Sequence, residues 1–502
     1  MFDLKPDFSP IPYVKISYNI GCLFDISTGT YEIGLHGESI LNGGLGPITG
    51  VVGIGNNFKS TIMHYMMLSA MSKFPDSTAN TYDTEVNIHE SRLSQIANAI
   101  HEFMGRCPID DGRWLVTDKT LYYANEWYEI FKKFIKKKID AGKSIMRPTP
   151  FIDRDEKSLI QLSIPTFTEV DSFSEFETQD VADMQNNNEL GESGGNTIHM
   201  RQGLAKVRFL SDVPKLVANG NNYMLLTAHV GKDIPMDARA APIKKLQFLK
   251  NGDKLKGVTD KFMFLTTNCW QCQNAIPLTN DTTKSVEYPR YSTDNMKGDT
   301  DLFIVTLVQL RSKLGPSGLV MQILVSQQEG VLPSLSEFHY IKTNDRFGLD
   351  GNLQNYVLDL IPEVKLSRTA VRGKIDADPK LRRALTITAE MCQMKALWHH
   401  MEEGLMCSPK ELYADLKAMG YNWDQLLGET RGWWTFNNDS KTHDKQFLST
   451  MDLLKMRKGL YHPYWMPLLP GMTERPKAPA KSSDKVLVSI DPTRGRASAP
   501  QL

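Results

Sequence analysis

The stretch ITGVVGIGNNFKST, residues 48–61, decides the expected fold. It begins as a β-branched apolar strand, continues through a glycine-containing loop and ends in Lys-Ser-Thr at the start of a predicted helix. Backbone N–H groups of such a loop can surround phosphate oxygens, and a lysine and a hydroxyl can neutralise phosphate charge and ligate Mg²⁺. A plain tight βα turn is the alternative. The predicted nucleotide contacts are Gly53, Gly55, Asn56, Asn57, Phe58, Lys59, Ser60 and Thr61.

Strand and helix signals alternate around this loop, from about residue 45 to 340. Short apolar runs predict buried strands at residues 48–53, 164–171, 223–227, 262–267 and 302–310. Longer periodic runs predict helices at residues 61–72, 125–138 and 200–218. This order predicts an α/β core in which helices flank a mostly parallel, twisted sheet.

A phosphate loop of this kind needs a carboxylate from a second strand to hold the metal. Asp171 ends a clear apolar run, whereas the run before its competitor Asp153 is shorter and is followed by charges. We therefore predict that Asp171 holds Mg²⁺ together with Ser60. Glu85, in the sequence YDTE, could orient an attacking water, although the residues alone favour a solvated loop position.

Residues 24–61, with an ISTG turn, the sequence GGLGP and then the loop, resemble the start of the core of RecA-like recombinases, most closely the bacteriophage UvsX type. The resemblance extends to about residue 340. The phage type carries a bulky residue before the lysine, so Phe58 fits it although the standard pattern has glycine there. The resemblance implies a RecA-like P-loop NTPase core that binds ATP and Mg²⁺, with Glu85 as the catalytic glutamate.

The resemblance also assigns roles to residues that would otherwise be unremarkable. In LLTAHVG it makes His229 a polar sensor between the γ-phosphate and the DNA loops, where statistics alone favour a hydrogen-bonded core histidine. In VQLRSKLGPSG it places Arg311 and Lys313 where the family has two basic residues that reach a neighbour's ATP across the filament interface. Both would otherwise be strand-end charges. The implied catalytic set is Lys59, Glu85, His229, Arg311 and Lys313.

Two long polar stretches, residues 177–197 and 231–257, match the positions of the family's two DNA-binding loops. Loops of this length within a compact domain are usually functional or disordered. Basic side chains in the second stretch are predicted to contact DNA phosphates, with a solvated lysine-rich loop as the alternative. These residues are Lys232, Arg239, Lys244, Lys245, Lys250, Lys254 and Lys256.

The remaining sequence suggests four regions. Residues 1–23 form an N-terminal arm with a role in oligomerisation, and residues 24–345 form the ATPase core. Residues 346–470 are expected to be a smaller, mostly helical domain, with helices at 381–406 and 409–419. Residues 471–502 are rich in Pro, Ala, Ser and Lys and predict a disordered basic tail.

Composition excludes several classes of protein. The 58 basic residues balance 58 acidic ones, so any nucleic-acid site must be a local patch. Six scattered cysteines do not form a secreted disulfide framework, and one CxxC pair, Cys269 and Cys272, lacks the two further ligands of a structural zinc site. The sequence contains neither a signal-peptide core nor an apolar run of the roughly 18–20 residues that span a membrane. We expect an intracellular protein.

Together these features imply an ATP-dependent protein that forms filaments on single-stranded DNA and exchanges strands with homologous duplex. The resemblance implies the cytoplasm of an infected bacterial host, or a phage replication compartment within it, and partners such as a single-strand-binding protein and a loading factor. Two alternatives stay open: a RecA-fold hexameric helicase and a non-hydrolysing mediator or scaffold. Intact Lys59, Glu85 and Asp171 argue against the scaffold.

Overall fold

The computed structural model describes residues 15–476, except 104, 154–157, 188–194, 234–245, 292, 294–297, 353, 399–400, 402–403 and 437–445. The strands of this part are β1 (Thr30–Ile33), β2 (Ser39–Asn42), β3 (Ile48–Gly53), β4 (Thr78–Asp83), β5 (Trp114–Asp118), β6 (Met146–Ile152), β7 (Leu159–Ser163), β8 (Thr166–Asp171), β9 (Asn222–Lys232), β10 (Asp253–Lys256), β11 (Asn268–Pro277), β12 (Leu302–Ser312), β13 (Val320–Ser326), β14 (Gly330–Val331), β15 (Leu349–Asn352), β16 (Asn355–Leu358) and β17 (Lys365–Leu366). The helices are α1 (Phe24–Thr28), α2 (Lys59–Ser72), α3 (Glu90–Asn98), α4 (Ala124–Asp140), α5 (Gln179–Asn187), α6 (Gly195–Gly220), α7 (Lys261–Leu265), α8 (Pro333–Thr343), α9 (Val371–Ala377), α10 (Pro379–Leu397), α11 (Pro409–Ala418), α12 (Trp423–Glu429) and α13 (Thr450–Arg457).

A ten-stranded sheet organises the chain, in the order β14-β13-β12-β11-β3-β9-β8-β4-β5, with β10 paired to β9. The strands from β11 to β5 run parallel to one another, and β12, β13 and β14 add an antiparallel edge. The predicted mixed α/β fold with a mostly parallel sheet is therefore confirmed. Within the described part of the chain, no helix is long and apolar enough to cross a bilayer.

Strand β3 lies at the centre of this sheet, and all of its residues are buried. Its side chains alternate between two hydrophobic clusters: Val51 packs on the face covered by α2, whereas Ile48 and Val52 pack on the face covered by α4 and α6. Helices on both faces explain why the strand sequence is almost continuously apolar. This arrangement brings the residues after β3 to the carboxyl edge of the sheet.

Most predicted elements occur close to their expected positions, but one strand was wrong. Residues 262–267 do not form a strand. Most of α7 lies within them, and the next strand begins at Asn268. Phe262 and Met263 are buried, while Phe264 is 65% exposed, which is the one-sided burial of a helix. A short apolar run is compatible with either structure, and its length did not separate them.

The two polar stretches that were predicted as loops contain regular structure. The first includes α5 and the start of α6, and the second includes the end of β9 and the strand β10. β9 and β10 are antiparallel, with Lys232 opposite Asp253 and His229 opposite Lys256. Polar composition concealed these elements because their backbone hydrogen bonds do not depend on apolar side chains.

The region from residue 346 contains strands as well as the expected helices. β15, β16 and β17 form a three-stranded sheet, and the helix predicted at 381–406 ends earlier, at Leu397 in α10. Helix α8 packs against α10. Their buried side chains share one hydrophobic cluster with those of α1, α2 and α13.

The described part of the N-terminal arm is buried in its own chain. Tyr18 is fully buried, and its ring lies 4.5 Å from that of Tyr223 and 5.3 Å from that of Trp434. Trp434 belongs to the same hydrophobic cluster as the N-terminal segment, so residues far apart in the sequence stabilise one core.

Candidate functional site

The candidate phosphate loop, residues 53–61, connects the central strand β3 to α2. Asn56 and Phe58 have φ angles of 59° and 58°, so the chain turns sharply before the helix begins at Lys59. The Phe58 ring packs 5.1 Å from the ring of Phe303, as a side chain at this position must do if it is not to fill the loop. The buried Lys59 ammonium reaches back across the loop and donates a hydrogen bond to the carbonyl of Ile54 at 2.9 Å.

The loop is attached to the neighbouring strand β11. A Cβ at Gly53 would lie 2.8 Å from the carbonyl oxygen of Cys272, so this position requires glycine. The Asn57 side chain donates to the carbonyls of Cys272 and Gln273, each at 3.3 Å. Gly55, in contrast, faces open space. The base of the loop is therefore fixed, while its tip remains accessible to a ligand.

Asp171 lies at the end of β8, next to the first turn of α2. Its carboxylate accepts a hydrogen bond from the hydroxyl of Thr227. The Ser60 hydroxyl is near enough to lower the pKa of the same carboxyl. Burial raises the pKa of Asp171, and these hydroxyls and the nearby His64 only partly oppose that effect. A hydroxyl and a carboxylate are hard oxygen donors that suit Mg²⁺, and a bound cation would offset the buried negative charge. The residues present therefore fit the predicted metal.

Glu85 is held in place by a buried carboxylate that the sequence analysis did not identify. Asp83, at the end of β4, accepts hydrogen bonds from the backbone N–H groups of residues 85–88, each at 2.9 Å. Asp83 is 2% exposed. Four charge-assisted hydrogen bonds to one carboxylate fix the turn that carries Glu85. The sequence signal for this role of Asp83 was its position at the end of a strand.

Glu85 and His229 meet although they are far apart in sequence. Glu85 Oε1 lies 3.1 Å from His229 Nε2, because β4 and β9 both end at this edge of the sheet. The hydrogen bond with His229 is the largest influence on Glu85, and together with Ser172 and Asn87 it lowers the pKa of Glu85 to about 2. The carboxylate is therefore ionised at neutral pH. It is suited to orient and polarise a water rather than to take up a proton.

Arg311 and Lys313 lie away from this group. Arg311 on β12 pairs with Cys269 on β11, and Cys269 pairs with Gly50 on β3. Gly50 precedes Gly53 by three residues, which is about 10 Å along the strand. The backbone N–H of Lys313 bonds to the carbonyl of Thr267, further in the same direction. Within one chain, both residues therefore lie toward the opposite end of β3 from the candidate phosphate loop.

Four of the predicted DNA-binding residues lie on or near the β9–β10 hairpin. Lys232 forms an ion pair with Asp253. Lys254 forms one with Asp233. Lys250 and Lys256 are exposed. Arg239, Lys244 and Lys245 lie outside the described residues.

A second buried pair lies below Ser60 and Asp171. His64 Nδ1 is 2.9 Å from Glu169 Oε2, and both side chains are buried. Burial lowers the pKa of His64, but the Glu169 carboxylate more than reverses this, so the pKa is raised overall. The spacing could have revealed the pair: His64 follows Ser60 by one helical turn, and Glu169 precedes Asp171 by two strand residues.

The CxxC pair does not form a metal site. Cys269 belongs to the cluster on the α4 and α6 face of the sheet, and Cys272 belongs to the cluster on the α2 face. Two thiols on opposite faces of a sheet cannot ligate one ion. Burial raises the pKa of each to about 12, as expected for unreactive core cysteines.

No protein-family model matches this sequence, and no curated protein matches it significantly. The structure itself defines a mixed α/β protein whose central sheet is compatible with a P-loop-like core. At the carboxyl edge of that sheet, the candidate phosphate loop, Asp171 and the Glu85–His229 pair come from four different strands and their loops. This is the edge at which open α/β sheets bind ligands.

Proposed function

We propose that this protein is an ATP-dependent DNA recombinase of the RecA-like class, closest to the bacteriophage UvsX type. It forms filaments on single-stranded DNA and pairs that strand with homologous duplex, with ATP hydrolysis releasing the DNA. The observation that supports this most directly is the joint placement of Ser60 with Asp171 and of Glu85 with His229 at one sheet edge. The cytoplasm of an infected bacterial host is the location that this proposal implies.

The residues of the site divide the work of hydrolysis. Lys59 exchanges its hydrogen bond with Ile54 for phosphate oxygens, and the backbone N–H groups of the loop bind the same phosphates. Ser60 and Asp171 would hold Mg²⁺, and the bound ion would supply positive charge that offsets the charge of the phosphates. Glu85 orients the attacking water in line with the leaving oxygen. His229 forms a hydrogen bond with Glu85 and connects the nucleotide to β9, which leads into the second DNA stretch.

Arg311 and Lys313 act on the nucleotide of a neighbouring protomer in this proposal. Their distance from the phosphate loop of their own chain supports this, because a head-to-tail assembly brings opposite ends of two subunits together. Their positive charge then offsets the charge that develops on the γ-phosphate. Open repetition of such an interface produces a helical filament, whereas its closure produces a ring.

DNA binds along the β9–β10 hairpin in this proposal, where the exposed Lys250 and Lys256 are available for phosphates. Lys232 and Lys254 would have to exchange their carboxylate partners for DNA. A single-strand-binding protein and a loading factor are the further partners that the resemblance implies. Binding through phosphates predicts an affinity for single strands that falls steeply with salt concentration.

Complementation between variants tests this proposal. Lys59→Ala, and separately the double variant Arg311→Ala/Lys313→Ala, should each lose DNA-stimulated ATP hydrolysis. Lys365→Ala, an exposed lysine distant in sequence, is the matched control and should retain it. Mixing the two inactive proteins should restore turnover, because about a quarter of randomly formed head-to-tail interfaces combine an intact loop with intact neighbouring cations. No recovery on mixing would contradict the proposed sharing of sites, and full activity of Lys59→Ala would contradict the proposed ATPase.

A further inference from the structure

A buried lysine joins three segments that the proposed function uses separately. Lys206, in the middle of α6, is 3% exposed. Its ammonium donates to the carbonyl of Ser174, which follows β8, and to the carbonyl of Gly257 at 2.7 Å, which follows β10. Ser174 lies three residues before the first predicted DNA stretch, and Gly257 is the last residue of the second. One side chain therefore connects the two stretches where they join the core.

Ser174 extends this connection to the candidate nucleotide site. Its hydroxyl donates to the carbonyl of Lys256 at 2.9 Å and accepts from the backbone N–H of His229 at 3.0 Å. The side chain of His229 in turn meets Glu85 at 3.1 Å. A continuous series of hydrogen bonds thus leads from Lys206 through Ser174 and His229 to Glu85.

The atoms around Lys206 pack closely, which indicates that this side chain does more than fill space. A Cβ at Gly257, whose φ is +65°, would lie 2.8 Å from the carbonyl oxygen of Ser174. Burial lowers the pKa of Lys206 to about 8, although Glu175 and Glu177 raise it in part. Burying an ammonium group is unfavourable unless good hydrogen bonds compensate, and an apolar side chain would fill the same volume without that cost.

We propose that Lys206, acting through Ser174, is a positioning residue that couples nucleotide binding to DNA binding. The inference rests on the proposed function, because it assigns the two stretches to DNA. When DNA displaces either stretch where it joins the core, Ser174 moves with that stretch. The His229 backbone, which bonds to Ser174, then follows. When nucleotide and water contact Glu85 and His229, the same hydrogen bonds transmit the displacement to the two stretches.

Reciprocal affinity measurements test this inference. We would measure the affinity for an oligothymidine strand with and without ATPγS, and the affinity for ATPγS with and without the strand. Thermodynamic linkage requires the two enhancement factors to be equal, and in the wild-type protein we expect about tenfold. In Lys206→Met and in Ser174→Ala, both factors should fall together toward one, while each ligand alone binds within about twofold of its wild-type affinity.

Lys215→Met is the matched control, since Lys215 is an exposed lysine on the same helix; it should keep the wild-type enhancement. A folded Lys206→Met or Ser174→Ala protein with the wild-type enhancement would overturn the inference. If circular dichroism shows that Lys206→Met does not fold, Ser174→Ala decides the matter, because it removes one hydroxyl only. A wild-type protein that binds neither ligand would refute the proposed function itself, whereas one that binds both without mutual enhancement would refute the coupling alone.

Discussion

Replacing the buried Glu337 by glutamine should remove one component of the pH dependence of stability. Glu337, on α8, is 4% exposed and accepts hydrogen bonds from the Thr386 hydroxyl on α10 at 3.0 and 3.2 Å. Burial raises the pKa of Glu337 from 4.5 to about 8, and Glu390 and Asp25 add to the increase while Arg383 opposes it. Glutamine keeps the volume and an acceptor for Thr386 but cannot ionise.

The sign and size of the effect follow from linkage. Because the pKa of Glu337 is higher in the folded than in the unfolded chain, its stability contribution is complete below pH 4.5 and is lost as the pH rises to about 8. Taking up the proton on folding costs about 3 kcal/mol at pH 7 but less than about 1 kcal/mol at pH 5. Between these pH values the wild-type protein should therefore lose about 2–3 kcal/mol more stability than Glu337→Gln.

Urea unfolding followed by tryptophan fluorescence, at pH values from 5 to 8, measures this difference. Glu390, whose pKa burial raises to about 7, contributes a slope that both proteins share. The control is Glu363→Gln, which removes an exposed carboxylate and should follow the wild-type curve. Parallel curves for wild type and Glu337→Gln would refute the assignment of the proton uptake to Glu337.

Three further substitutions give separate expectations. His64→Leu should lower the free energy of unfolding in urea by about 3–5 kcal/mol, because it leaves the buried Glu169 with only the Thr81 hydroxyl as a hydrogen-bond donor. Adding Glu169→Leu should recover most of the loss, and a double variant as unstable as the single one would exclude this explanation. Phe58→Gly should lower the free energy of unfolding by a net ~1–2 kcal/mol, measured by thermal unfolding, because losing the contact with Phe303 outweighs relief of the positive φ. An unchanged unfolding transition would contradict that balance. Glu85→Gln should bind ATP normally but release phosphate about 100- to 10,000-fold more slowly, and near-normal turnover would show that Glu85 does not orient the water.

The sequence predicted the central elements because their signals are local. The apolar run of β3, the glycines after it and the Lys-Ser pair that begins α2 all lie within residues 48–61, and the structure places them as a strand, a loop and a helix. Asp171 could be recognised in the same way, as a carboxylate directly after a buried strand. The resemblance, rather than local pattern, singled out Glu85 and His229, whose side chains the structure brings to 3.1 Å.

The features that sequence did not predict depend on contacts between distant segments. The role of Asp83 requires four backbone N–H groups to turn toward it, and that of Lys206 requires Ser174 and Gly257 to meet above α6. Neither arrangement leaves a periodic signal in the chain. The strand predicted at residues 262–267 failed for a different reason, because a short apolar run does not specify its own backbone conformation.

The proposed function requires that this protein hydrolyse ATP as a filament on single-stranded DNA. The most direct test measures ATP turnover with and without single-stranded DNA and images the same mixture by negative-stain electron microscopy. We expect turnover that DNA stimulates, together with extended helical filaments. Stimulated turnover with closed rings would indicate a helicase, and DNA binding without any turnover would indicate a scaffold. Either result would contradict the proposed function.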